Sequence, residues 1–183
     1  MMNKMYFLCF MLLPIAVLAQ QDSSSKVVFQ DVIVNAVKAT DKDPHTQTSL
    51  TKTQLNERNT GRDLPYLLDQ QPNVIVTSDA GAGTGYTGMR IRGSDLSRIN
   101  VTINGIPMND AESQQVYFVD MPDLASSTNA IQIQRGVGAS TNGGGAFGAS
   151  VNMHTNGFAP HAYGRFATNY GSFNTWKHTL EGG

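Results

Sequence analysis

At 183 residues and a formal net charge of −1, the chain is long enough for one ordinary domain with a real core. It is too evenly charged to hold a nucleic acid through its phosphates. Charged residues make up only 15%, and 18 glycines against 7 prolines speak for tight turns and close backbone packing, not for a flexible linker chain.

The first residues, MMNKMYFLCFMLLPIAVLAQ, differ from the rest of the chain. Lys4 precedes an apolar run from Met5 to Leu18, and Val17 and Ala19 supply the small residues of a cleavage site. The run is shorter than the ~20 residues that span a bilayer, which favours a cleaved export signal over residues 1–19 against a membrane anchor. The single cysteine, Cys9, lies inside this segment, so the mature chain is expected to enter an oxidising compartment without a thiol.

Residues 20–26 are polar and serine-rich, as disordered segments are. An apolar island, VVFQDVIVNAV, runs from Val27 to Val37, and a polar stretch from Thr40 to Glu57. The island is either an edge strand of the domain or a strand offered to a partner, and the residues alone slightly favour the edge strand. The compact part is expected to begin near Thr60. Leu64, Leu67 and Leu68 have helical spacing, Asp63 is placed to cap, Pro65 falls in the first turn and Pro72 ends the helix. Val74 to Thr77 reads as a strand.

Gly83, Gly85 and Gly88 then spell G-x-G-x-x-G, the spacing of a dinucleotide-binding turn. Such a turn must lead into a helix whose N-terminal amides hold the pyrophosphate. Here Met89-Arg90-Ile91-Arg92 alternates with period two, the pattern of a strand, which argues against nucleotide binding. Val101 and Ile103 continue the alternation into Asn104-Gly105, a strong hairpin signal. After the polar loop NDAESQQ, the segment DMPDLASS is expected to form a short helix capped by Asp120. Strands are expected over 131–136 and 150–154, joined through the glycine-rich GGGAFGAS. The polar residues on the second faces of these strands (Arg90, Arg92, Thr102, Gln132 and Gln134) suit contact with another polar wall. In residues 162–183, Tyr163, Phe166, Tyr170, Phe173 and Trp176 recur around a YGSFN turn, as aromatic girdles do at the rims of membrane barrels.

Catalytic chemistry finds little support. Ser94 follows Gly93 but lacks the second glycine of a nucleophile elbow, and His45, His154, His161 and His178 have no ligand spacing. No cofactor, metal site or enzymatic activity is expected. A secreted or periplasmic β-rich binding or scaffold module, without transport activity, is one reading of these residues.

In order, QDVIVNAVKA, LPYLLDQQPNVIV, GMRIRGSD, INVTINGIPMND, IQIQRGVGAS and GGAFGASVNMHT resemble the plug domain of TonB-dependent outer-membrane receptors, over Asp31 to Thr155. The wording around 88–110 and 131–151 resembles the ferric-citrate-receptor branch found in Bacteroidetes. The resemblance implies an α+β fold: a small mixed-sheet plug domain with short helices at 41–160, preceded by a flexible segment at 20–40 and followed at 161–183 by the first β-hairpin of an otherwise absent transmembrane barrel. Family members are several times longer, so the chain resembles a receptor truncated before most of its barrel. Asp31, Val32, Ile33, Val34, Asn35 and Ala36 would form the TonB box, which pairs with a TonB-like periplasmic energy-transducing protein. Arg90, Arg92 and Arg135 would meet acidic residues on the inner wall of the roughly 22-stranded barrel. Ser78, Asp79, Tyr86, Asn109, Asp110, Gln114, Gln115 and Tyr117 would lie on loops that face a small-molecule substrate, an iron chelate in the first instance. The implied location is the cell outer membrane.

Overall fold

The computed structural model describes residues 45–137 and 145–183. The export signal, the segment at 20–40 with its 31–36 motif, and most of the glycine-rich turn before Gly145 lie outside them. The order of elements is β1 (Gln47–Thr51), α1 (Lys52–Arg58), α2 (Leu64–Leu67), β2 (Val74–Ser78), β3 (Thr87–Ile91), β4 (Ile99–Ile103), β5 (Ile106–Pro107), β6 (Thr128–Arg135), β7 (Ala149–Thr155), β8 (Gly164–Gly171) and β9 (Thr175–Gly182). A five-stranded sheet runs β1-β6-β7-β4-β5, and β2–β3 and β8–β9 form separate two-stranded ladders. The β4–β7 pair is parallel and all others are antiparallel, so the large sheet is mixed. This is the α+β, mixed-sheet plug fold with short helices that the sequence implies.

Register explains the core. Leu50, Ile131, Met153 and Ile103 align across β1, β6, β7 and β4, and Ile133, Val151 and Val101 form the next apolar row. These rows join Leu55, Leu67, Leu68, Met89, Ile91 and Phe118 in one buried cluster. Because side chains alternate across a strand, the other face carries the polar rows Ser49–Gln132–Asn152–Thr102 and Gln47–Gln134–Ser150–Asn100.

On this second face Thr102, Gln132 and Gln134 are buried, and several of their polar atoms bond sideways along the sheet. Thr102 Oγ1 donates to Asn152 Oδ1 (2.9 Å), Gln132 Nε2 to Gln47 Oε1 (3.1 Å) and Gln134 Nε2 to Gln132 Oε1 (3.3 Å). An amide or hydroxyl can be buried when it is hydrogen-bonded, and a ladder of Gln, Asn and Thr on adjacent strands supplies donors and acceptors in equal measure.

Two differences from expectation concern boundaries. The compact part begins at β1, not near Thr60. The signal lies in T-x-x-Q: the Thr51 N–H donates to Gln54 Oε1 at 3.0 Å, one bond of a capping box that starts α1 just before buried Leu55. The helix expected over 120–127 is instead two 3-10 turns, Phe118–Asp120 and Leu124–Ser127. Asp123 between them sits at φ +53°, outside the right-handed helical region, so one continuous helix cannot form there. The Asn104-Gly105 hairpin is as expected: both residues have positive φ (+51° and +83°), as a type I′ turn needs.

Candidate functional site

The glycine cluster connects β2 to β3, and its bare backbone serves packing. Gly83 is buried at φ +82°, its carbonyl accepts the Asp63 N–H (2.8 Å), and a Cβ added there would stand 2.8 Å from Arg62 Cδ. The loop therefore lies flat against the N-terminus of α2. Asp63 occupies the capping position of that helix, but its carboxylate accepts from Thr87 Oγ1 (2.9 Å) and so ties the helix to β3. Beyond Gly88 the chain continues as a strand, as the alternation predicts, so the geometry for pyrophosphate is missing.

Two loops hold the eight residues assigned to substrate contact. In the first, Ser78 Oγ accepts the Gly83 N–H (3.4 Å), the Asp79 N–H donates to the Tyr86 carbonyl (3.1 Å), and the Tyr86 ring is exposed. The second, 109–117, is braced by its own side chains. Asp110 Oδ1 accepts the backbone N–H groups of Glu112 and Ser113 and the Ser113 hydroxyl. Those bonds, led by the Ser113 N–H, hold the Asp110 carboxyl below its ordinary pKa. Gln114, at φ +58°, donates from its side chain to the Ala111 carbonyl, the Gln115 N–H donates to Ser113 Oγ, and Tyr117 Oη donates to the same hydroxyl. Such a loop is ordered by its own side chains.

Asn109 does different work. Its Oδ1 accepts the Val101 N–H (3.0 Å), and its Nδ2 donates to the carbonyls of Ile99 and Gln114 (both 2.9 Å). The amide thus continues the short β5 ladder along β4 after the backbone has turned away, and it is committed inside the fold. Asn109→Ala would leave the β4 edge groups unpaired. A loss of about 1–3 kcal/mol is expected, read as a lower urea midpoint with an unchanged m-value.

The three arginines part company. Arg90 stands on the exposed face of β3. Arg92, at φ +52°, leaves the strand and reaches the Arg135 carbonyl with Nη1 (3.4 Å). Arg135 shares its sheet face with Ile131 and Ile133; it is 5% exposed, and Nε donates to the Pro72 carbonyl (2.9 Å) while Nη2 has no partner. Burial and then the neighbouring Arg92 cation press its pKa downward. Among the described residues the ion pairs are Lys177–Asp123, Arg165–Glu181 and Lys52–Glu181, so neither Arg92 nor Arg135 has a carboxylate. Of these two adjacent cations, Arg135 is enclosed with one donor unpaired and Arg92 is exposed.

The C-terminal hairpin has two unlike faces. Phe166, Tyr170, Trp176 and Leu180 point outward and are exposed, with Tyr170 and Trp176 in contact at 4.6 Å between centroids. Arg165, Asn169, Lys177 and Glu181 point inward and meet the domain. Lys177 Nζ donates to Asp123 Oδ1 (2.5 Å), Asn59 Oδ1 (2.8 Å) and Ser126 Oγ (3.2 Å). Burial opposes the Asp123 charge, but hydrogen bonds from Lys177, Ser126 and Asn59 outweigh it and hold the carboxyl below its ordinary pKa. Sequence patterning points to the aromatic face and not to the polar one, although the alternation of Arg165, Asn169, Lys177 and Glu181 with the aromatics was an available signal. No described helix is long and apolar enough to cross a membrane, which says nothing of strands.

Known proteins share this architecture. Residues 39–150 match the family model for the TonB-dependent receptor plug domain. The fold is similar to that of FpvA from P. aeruginosa, solved with heterologous pyoverdines (15% identity, TM-score 0.59, covering 76% of this chain and 18% of that one). It is also similar to the alcaligin outer-membrane receptor FauA from Bordetella pertussis (18% identity, TM-score 0.59, 76% and 23%). The ferric-catecholate import receptor Fiu from E. coli K12 is a third (19% identity, TM-score 0.56, 76% and 19%). The chain therefore spans about a fifth of the length of these structures. Comparison by sequence with curated proteins finds no match. With more than half of its residues matched by the family model and the same fold in solved receptors, the chain belongs to the TonB-dependent receptor plug domain family.

Proposed function

We propose that the chain is the plug portion of an outer-membrane receptor for active uptake of a scarce substrate, an iron chelate or siderophore. The observation that carries this reading is the plug fold joined to a hairpin with a polar face toward the domain and an aromatic face turned away from it. A barrel strand needs that alternation, because one side meets lipid and the other the lumen. Two strands alone cannot lie in a bilayer, since their open edges would leave backbone groups unpaired in hydrocarbon, so the hairpin requires further strands beside it. Exposed Arg92, which has no carboxylate beside it among the described residues, supports a carboxylate-bearing wall around the domain, with Arg135 lying beneath it. Arg90 belongs to the same contact surface.

The ordered loops at 78–86 and 109–117 are the substrate-facing part of this reading, with Tyr86, Asp110, Gln114 and Tyr117 as its contacts; Asn109 acts from beneath. Residues 31–36, behind an export signal at 1–19, are the segment that a TonB-like periplasmic protein grips. Transfer of force to that segment loosens the plug, and no bond chemistry is required. The siderophores named for FpvA, FauA and Fiu motivate the substrate class.

The test is uptake of radiolabelled ferric chelates by iron-starved cells that depend on this gene. With Val34→Pro, which removes a ladder donor from the proposed gripping segment, binding of the chelate at the cell surface should persist while accumulation falls at least tenfold. Unchanged accumulation would overturn the role of residues 31–36, and loss of surface binding as well would mean that the segment belongs to the folded domain.

A further inference from the structure

The hairpin is fastened to the domain almost entirely by polar contacts, and these converge on one face of one helix. Lys52 and Asn56 are four residues apart in α1, and Asn59 caps it three residues on, so all three lie on one stripe, while Leu55 faces the core. Lys52 Nζ donates to the Ser126 carbonyl (2.6 Å) and stands 3.9 Å from Glu181 Oε1. Arg165 Nη1 donates to Asn56 Oδ1 (3.0 Å) and lies 3.5 Å from Glu181 Oε2. Asn59 Nδ2 donates to Asp123 Oδ1 (3.1 Å) and to Ser126 Oγ (3.0 Å), and the Asn59 carbonyl accepts from Asn169 Nδ2 (3.4 Å). The Lys177 stem lies across Gly61, where a Cβ would stand 3.2 Å from Cδ, and its ammonium touches Asp123, Asn59 and Ser126 at once. One side chain thus closes a junction among α1, the turn at 124–127 and β9.

We propose that α1 is a latch helix: its 52/56/59 stripe, pinned by Lys177 on Asp123, fastens the C-terminal hairpin to the domain, and release of Lys177 frees the hairpin while the five-stranded sheet stays folded. A polar seam of this kind parts at little cost, because its ions and amides regain water, whereas an apolar seam would expose core. α1 also follows directly on β1, which among the described strands pairs with β6 alone, so a displacement of the N-terminal end of the domain reaches this seam first. In the receptor proposed above, the seam opens when the plug moves. That use of the latch rests on the transport reading, whereas the latch itself does not.

Residue-resolved amide hydrogen exchange on the full chain separates the two, since it requires neither substrate nor partner. A detached two-stranded hairpin is at best marginally stable, so release should be visible in its own amides. Lys177→Met is expected to speed exchange across β8 and β9 at least tenfold and to leave β4, β6 and β7 within a factor of two. Asp123→Asn, which keeps the shape of the acceptor and removes its charge, should give a smaller acceleration with the same distribution. Unchanged hairpin amides in Lys177→Met would overturn the proposal. Equal acceleration throughout the large sheet would overturn it as well, by showing general support of the fold and not a latch.

Discussion

Phe118→Ala is expected to destabilise the chain by about 3–5 kcal/mol, the largest effect of any single truncation proposed for it. Phe118 is 1% exposed and is the bulkiest fully buried side chain among the described residues. It lies in the cluster formed by the sheet rows, Met89, Ile91 and the leucines of α2, so its removal leaves a void that several elements cannot fill by moving separately. Domains of this size are stable by only about 5–15 kcal/mol, so such a loss is a large fraction of the whole. The position also matters for the proposed substrate side, because Val116 and Phe118 secure the exit of the 109–117 loop. Urea unfolding should show a lower midpoint with an unchanged slope, and Phe118→Leu should recover most of the difference. A loss under 1 kcal/mol for Phe118→Ala would mean that the five-stranded sheet and the β2–β3 ladder do not share this core.

Gly148→Ala should destabilise by about 1–3 kcal/mol through overpacking, although the change adds one methyl group. A Cβ at Gly148 would lie 2.3 Å from Ser94 Cβ and 2.4 Å from its Oγ, with the Arg98 carbonyl at 3.3 Å. The backbone cannot withdraw, because the Gly148 N–H donates to the Arg98 carbonyl (2.9 Å) and its own carbonyl accepts the Gly136 N–H (2.7 Å). The collision has one removable partner. Ser94→Gly in the same chain should restore most of the lost stability, which a double-mutant cycle would register as a coupling energy above about 0.5 kcal/mol. If the two changes simply add, the contact is not the cause.

These two positions also show what sequence can and cannot convey. Alternation locates β3, β4 and β6, β-branched content locates β2, the glycine turn locates β7, and Asn104-Gly105 locates the tight turn, because strand period and turn chemistry are local properties. Ser94 meeting Gly148 is a contact across 54 residues of chain, set by the parallel β4–β7 pairing that brings Ile99 beside Ala149. No local pattern announces it. The same holds for the site. The residues of the two loops stand out as small and polar stretches, but the role of Asn109 depends on where β5 stops pairing, which only the fold decides. The polar rows do form a face that avoids water, and Gln132, Gln134 and Thr102 also bond to one another's strands, which their alternation alone does not announce. Lys177 looks like an ordinary strand lysine in the sequence, since its ligands come from Asn59, Asp123 and Ser126, which are remote from it along the chain.

We infer that the folded plug domain carries an N-terminal segment gripped by a periplasmic energy-transducing protein. To test this, the chain, uniformly labelled with nitrogen-15, is titrated with the periplasmic domain of such a protein while every backbone amide is followed. Shifts and broadening should be confined to residues 27–37, the amides of β1 through β7 should stay unmoved, and Val34→Pro should abolish the response. Silence throughout, or a response centred on the β1–β6 ladder and insensitive to Val34→Pro, would contradict it.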